Sequence, residues 1–176
     1  MADYLAPETV DLRKGQNTEI EGGEQGWSDQ GSFDADLRGC IALTAYNPDS
    51  GAGGMYHMVA EEMEPADVTQ TIWEMWHDST FFGDPEQFKW YAAGGYPGDA
   101  DYTESSIDVE HSDRAYLRRI HVDRFFDQMD VSYKSEWLDE DDLMQVSLDM
   151  DEEEFHVTRY EGSRVFTDYM FQDNHV

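Results

Sequence analysis

From Cys40 to Tyr46 the chain runs CIALTAY, an unbroken apolar, β-prone segment that reads as a buried strand. Asn47, Pro48, Asp49 and the glycines that follow make a turn signal. GMYHMVA then reads as a second strand, so residues 40–59 predict a hairpin. Pro65 opens a helix whose apolar residues Val68, Ile72, Met75 and Trp76 recur at i, i+4, i+7 and i+8, and which ends near Phe81–Gly83. FKWYAAGG is a third strand closed by two glycines. Residues 96–110 read as a polar loop. Ser112 is placed to cap a second helix reaching Gln128, with Ala115, Val122, Phe126 and Met129 as its apolar stripe, supplemented by Tyr116 and Ile120. Beyond it VSYKSEW, LMQVSLDM, FHVTRY and VFTDYMF alternate as strands do. The pattern predicts a mixed α/β (α+β) layered fold of about seven strands and two main helices, with a β-rich C-terminal part. Residues 1–34 are polar, glycine-rich and poorly periodic. They read as a long arm or a set of loops ahead of one domain over 35–176.

Composition supports a packed domain. The 176 residues are 39% apolar and include 5 Trp, 10 Tyr and 9 Phe, enough apolar surface to offset the entropy of ordering. Charge is the loudest feature: 40 Asp and Glu against 11 Lys and Arg leave a net charge of -29. The acidic residues are spread along the chain, unlike an acidic tail. Such a surface repels itself at low salt and is screened when the Debye length falls to roughly 3 Å at molar salt. A salt-rich cytoplasm, as in salt-in halophiles, is the expectation. Binding to nucleic acid or to an anionic membrane is disfavoured. A single cysteine, Cys40, allows no internal disulfide. No apolar run approaches the ~20 residues of a spanning helix, and no secretory pattern is visible, so a cytoplasmic protein without membrane insertion is expected.

The residues that bear chemistry are Cys40 and His57. They begin one strand of the predicted hairpin and lie on the next, which brings them within cross-strand reach. A thiol beside an imidazole is the minimal nucleophilic pair: the ring takes the proton and the thiolate attacks a carbonyl, forming a thioester. Backbone N–H groups near Gly39 could hold the resulting oxyanion. The plainer reading makes Cys40 a small core residue and His57 a locally satisfied one. The other histidines, His77, His111, His121, His156 and His175, show no compact ligand spacing. The acidic runs 139–142 and 151–154 lack a calcium-loop pattern, and GAGG at 51–54 lacks the phosphate-loop pattern. Neither a metal nor a cofactor is expected.

RGCIALTAYNPDSGAGGMYHMV resembles the signature of the CheD-type chemoreceptor glutamine deamidases: a small residue and Cys, an apolar strand, a D/N-P turn, then glycines, Met and His. Tyr91-Ala92-Ala93-Gly94-Gly95 resembles that family's second motif. The resemblance covers 39–136, with strong local matches at 39–59 and 91–95. It implies a CheD-like fold, deamidation of protein glutamines, and a protein substrate or a CheC-type phosphatase partner. It implies Cys40 as nucleophile and His57 as base. Asp34, six residues before the Cys where the family has Thr, would orient the ring. Gly39, Gly54, Gly94 and Gly95 would line the substrate and oxyanion side. Arg38 replaces a small family residue, and the family's C-terminal glycine-rich segment is replaced by SEWLDEDDLMQ.

Two functions from different classes follow. One is a CheD-like Cys-His amidohydrolase. The other is a non-catalytic subunit of the same fold in a homo-oligomer or large assembly such as a virus particle, suggested by the altered surroundings of Cys40, the arm and the extra C-terminal strands.

Overall fold

The computed structural model describes residues 9–60, 63–95, 106–138, 143–161 and 164–169. The strands are β1 (Asn17–Glu19), β2 (Gln25–Ser28), β3 (Ser32–Leu37), β4 (Ile41–Tyr46), β5 (Gly53–Met58), β6 (Lys89–Gly94), β7 (Tyr133–Trp137), β8 (Leu143–Asp149), β9 (Glu154–Glu161) and β10 (Arg164–Tyr169). They form two five-stranded sheets, ordered β2-β5-β4-β6-β7 (sheet A) and β1-β3-β8-β9-β10 (sheet B). The helices are α1 (Pro65–Ser79) and α2 (Ser106–Met129).

Two apolar clusters define three layers. Val68, Ile72 and Met75 of α1 and Val122, Phe125 and Phe126 of α2 pack on Ile41, Leu43, Met58, Trp90 and Ala92 of sheet A. The alternate residues of sheet A, among them Ala42, Tyr46, Met55, Tyr91 and Ala93, face Phe33, Ala35, Leu37, Val146, Leu148 and Val157 of sheet B. The period of two along each strand thus sends one set to the helices and the other to the second sheet. This mixed α+β layering agrees with the class read from the sequence.

The 40–59 hairpin forms as expected. Asn47 Oδ1 accepts the Asp49 N–H at 2.9 Å and the Ser50 N–H at 3.3 Å, and Gly51 takes a φ of 77° that closes the turn. The helix opened by Pro65, the strand before Gly94 and the four C-terminal strands also form.

Three expectations change. The second helix starts at Ser106, six residues before the Ser112 cap, within the stretch expected to be loop. The strand count is two sheets of five, above the seven or so expected. The surplus comes from 17–34: this stretch, expected to be an arm or loops, supplies β1, β2 and half of β3. Its few apolar residues carry it. Trp27 and Phe33 are fully buried and Ile20 nearly so. Gly26 makes room for the Phe33 ring, which would lie 2.8 Å from a Cβ there. Asp151, before β9, accepts the N–H groups of Gly15 at 2.7 Å and Gly31 at 3.1 Å and ties the stretch to sheet B.

Candidate functional site

β4 is the middle strand of sheet A, between β5 and β6, and Cys40 immediately precedes it. Cys40 is half-buried and packs against the cluster between the sheets. Its carbonyl accepts the Gly95 N–H at 2.8 Å, which fastens it to the end of β6.

His57 lies on β5 opposite Ala42. It shares the inward face of β5 with Met55, a member of the inter-sheet cluster. Cys40 and His57 therefore sit on the same face, diagonally: the residue directly across from His57 is Ala42, two positions beyond Cys40. The sequence expectation of a face-to-face pair is corrected to this diagonal one. Diagonal partners have backbones about 7–8 Å apart, a gap that side chains can partly close.

The His57 ring is buried, and its Nδ1 lies 2.7 Å from the Ile20 carbonyl oxygen. A carbonyl cannot donate, so Nδ1 carries the hydrogen. In the neutral ring Nε2 is then left with its lone pair. That Nε2 is buried and has no hydrogen-bond partner. A buried acceptor without a donor is costly, and such atoms call for an explanation in terms of function or a guest.

Asp34 does not orient this ring. Phe33, Ala35 and Leu37 turn inward, so Asp34 and Asp36 point to the outer face of sheet B. The Asp34 carboxylate instead accepts a hydrogen bond from the Asn17 side-chain amide. The orienting group is a backbone carbonyl, Ile20, which no side-chain motif could signal. Gly54 is also placed elsewhere: it faces the helix side, where a Cβ would lie 2.5 Å from the Trp27 ring. It is a packing glycine.

Gly94 and Gly95 do meet Cys40. At Gly94, φ is 98° and a Cβ would lie 2.3 Å from the Cys40 carbonyl oxygen. Only glycine permits that approach. The Gly95 N–H is spent on the same oxygen, so that donor is not aimed at an oxyanion; both glycines position Cys40. Gly39 is buried beside Cys40, between it and the exposed Arg38.

The rows of sheet A show the surroundings. Through His57 the register runs His57, Ala42, Ala93, Glu136. Two fully buried alanines stand between His57 and Glu136 in this row, and the Glu136 carboxylate pairs with Arg159 of sheet B at 2.7 Å. Arg119 Nη2 donates to the Leu138 carbonyl at 2.6 Å, and the guanidinium lies 5.7 Å from the Trp137 ring centre.

A second polar cluster carries no signal in the sequence. Trp27 Nε1 donates to Gln25 Oε1 at 3.0 Å, and Gln25 Nε2 donates to Asp78 Oδ2 at 2.6 Å. Asp78 is buried on α1, and burial pushes its carboxyl up to about 6. No group of three or more His, Cys, Asp or Glu among the described residues could hold a metal ion. No helix among them is long and apolar enough to cross a membrane.

No protein-family model matches the sequence, and no curated protein matches it. Similar solved structures include the hypothetical protein YfiH of Bacillus licheniformis, with a TM-score of 0.40 and 9% identity over 76% of this chain and 63% of that one. Another is YlmD of Geobacillus stearothermophilus, with a TM-score of 0.38 and 9% identity over 70% of this chain and 60% of that one. The chain thus spans less than two thirds of either, and the likeness is a distant one of fold.

Proposed function

We propose that the chain is a Cys-His amidohydrolase of the CheD type, acting on glutamine side chains of proteins. The observation that carries this reading is the His57 ring: its Nδ1–H is spent on the Ile20 carbonyl, and its buried Nε2 is left unpartnered on the face that Cys40 shares. The motif around Cys40 and His57 and the contact of Gly94-Gly95 with Cys40 add to it.

In the reaction, Nε2 takes the thiol proton and the sulfur attacks the glutamine Cδ. The tetrahedral intermediate collapses as the imidazolium returns the proton to the leaving nitrogen. Ammonia departs and a thioester remains. Water, deprotonated by Nε2, then cleaves the thioester, leaving glutamate and the thiol. The test is ammonia release from glutamine-bearing protein substrates by the wild type and by Cys40→Ala. Release by the wild type alone is expected; equal release by both ends the proposal.

A non-catalytic scaffold is the second reading. It is favoured by the exposure of His57, only 7%, and by the packing of Cys40 on the core. It predicts slow alkylation of Cys40 and a symmetric oligomer.

A further inference from the structure

The outer face of sheet B carries a cavity of about 340 Å³ lined by Asp36, Leu143, Met144, Gln145 and Tyr160. Both helices pack on sheet A, so neither covers it. Its walls come from three adjacent strands, in which Asp36 pairs with Gln145 and Leu143 pairs with Tyr160. Leu143 and Tyr160 are each 38% exposed, two of the few large apolar side chains left in water, and they are direct cross-strand neighbours. The Tyr160 hydroxyl reaches diagonally to Gln145 Oε1 at 3.4 Å, which leans the ring toward the Asp36 side. No described residue pairs with the Asp36 carboxylate. Arg38, two residues further on, does not line the cavity.

We propose that this cavity receives an arginine side chain from a protein partner. The aliphatic stem would lie on Leu143 and the planar guanidinium on the Tyr160 ring, with its N–H groups donated to Asp36 and to the remaining lone pair of Gln145 Oε1. Each wall matches one part of that side chain. A guanidinium stacks on an aromatic face and forks onto a carboxylate, which an ammonium does less well. At low salt a net charge of -29 draws a basic partner and repels an anionic one; at molar salt that attraction is left to direct contact with Asp36. The same charge opposes a second copy of this chain as occupant.

The test is an NMR titration of the full chain with acetyl-Gly-Arg-Gly-amide, alongside the same peptide carrying citrulline, the neutral isostere. Saturable shifts at the Gln145 side-chain amide and the Tyr160 ring are expected with arginine and not with citrulline. Asp36→Asn, a surface change that leaves the fold intact, should weaken binding roughly tenfold. Tyr160→Phe should retain binding and Tyr160→Ala should abolish it. Equal binding of the citrulline peptide, shifts confined to other residues, or unchanged affinity in Asp36→Asn would overturn the proposal. So would sedimentation showing that the face is covered by a second copy.

Discussion

The Nδ1 of His57 and the carbonyl oxygen of Ile20 are 2.7 Å apart. That one contact decides the chemistry open to the ring, because it commits the hydrogen of the neutral ring to Nδ1 and leaves Nε2 to accept. It also explains why the imidazole tolerates burial on β5: half of its polar capacity is satisfied by the backbone.

If Nε2 assists the thiol, Cys40 should react with iodoacetamide faster in the wild type than in His57→Gln. A rate lower by on the order of tenfold in the variant is expected. Mass-spectrometric timing of the single alkylation measures it. Equal rates would mean that the diagonal spacing is too wide for proton transfer.

Gly94→Ala should destabilise the fold and disturb Cys40 together. The added Cβ would meet the Cys40 carbonyl oxygen at 2.3 Å, and φ is 98°. A loss of about 2–4 kcal/mol follows from overpacking plus backbone strain. Gly54→Ala meets the Trp27 ring at 2.5 Å and should cost about 1–3 kcal/mol. The two differ in a second readout: in urea below the unfolding transition, only Gly94→Ala should change the alkylation rate of Cys40.

Asp78 should make stability depend on pH in the direction opposite to most carboxylates. Burial raises its folded pKa from 3.8 to about 6, so the folded state binds the proton more tightly. The stability this group contributes is fully present below its unfolded value and is lost as pH rises through about 6. Asp78→Asn keeps an oxygen to accept from Gln25 Nε2 and carries no charge. Urea midpoints for the variant should gain on the wild type as pH rises from about 4 to about 7. A constant difference across that range would show that Asp78 does not titrate there.

Asp151 behaves in the ordinary sense. Accepting the Gly15 N–H, and with it that of Gly31, holds its carboxyl below the usual range. Its contribution is present above the unfolded pKa and fades as pH falls through the lowered folded value. Asp151→Ala should speed amide exchange at Gly15 and Gly31 while leaving the β4–β5 hairpin protected. Uniform acceleration across the sheets would mean that the clamp serves the whole fold.

Much of this architecture is legible in periodicity. CIALTAY is apolar on both sides because β4 has the helices on one face and sheet B on the other. SFDADL alternates, yet lies in a polar, glycine-punctuated stretch whose strands are three to six residues long. Strands so short gain little from local pattern and form through long-range pairing, β3 with β8 across more than a hundred residues. Local pattern therefore predicts an arm where sheet edges stand.

The chain's own pattern marks the hairpin, the first helix, the C-terminal strands and the placing of Cys40 and His57 at adjacent strands, because each depends on neighbours in sequence or on a tight turn. The diagonal offset of the pair, the outward turn of Asp34 and the orienting of the imidazole by Ile20 come from how the two sheets close on each other. A one-residue change of register moves a side chain to the opposite face of a sheet, and backbone carbonyls are the same in every residue. No reading of side-chain types can say which carbonyl will come within hydrogen-bond distance once two sheets close on each other.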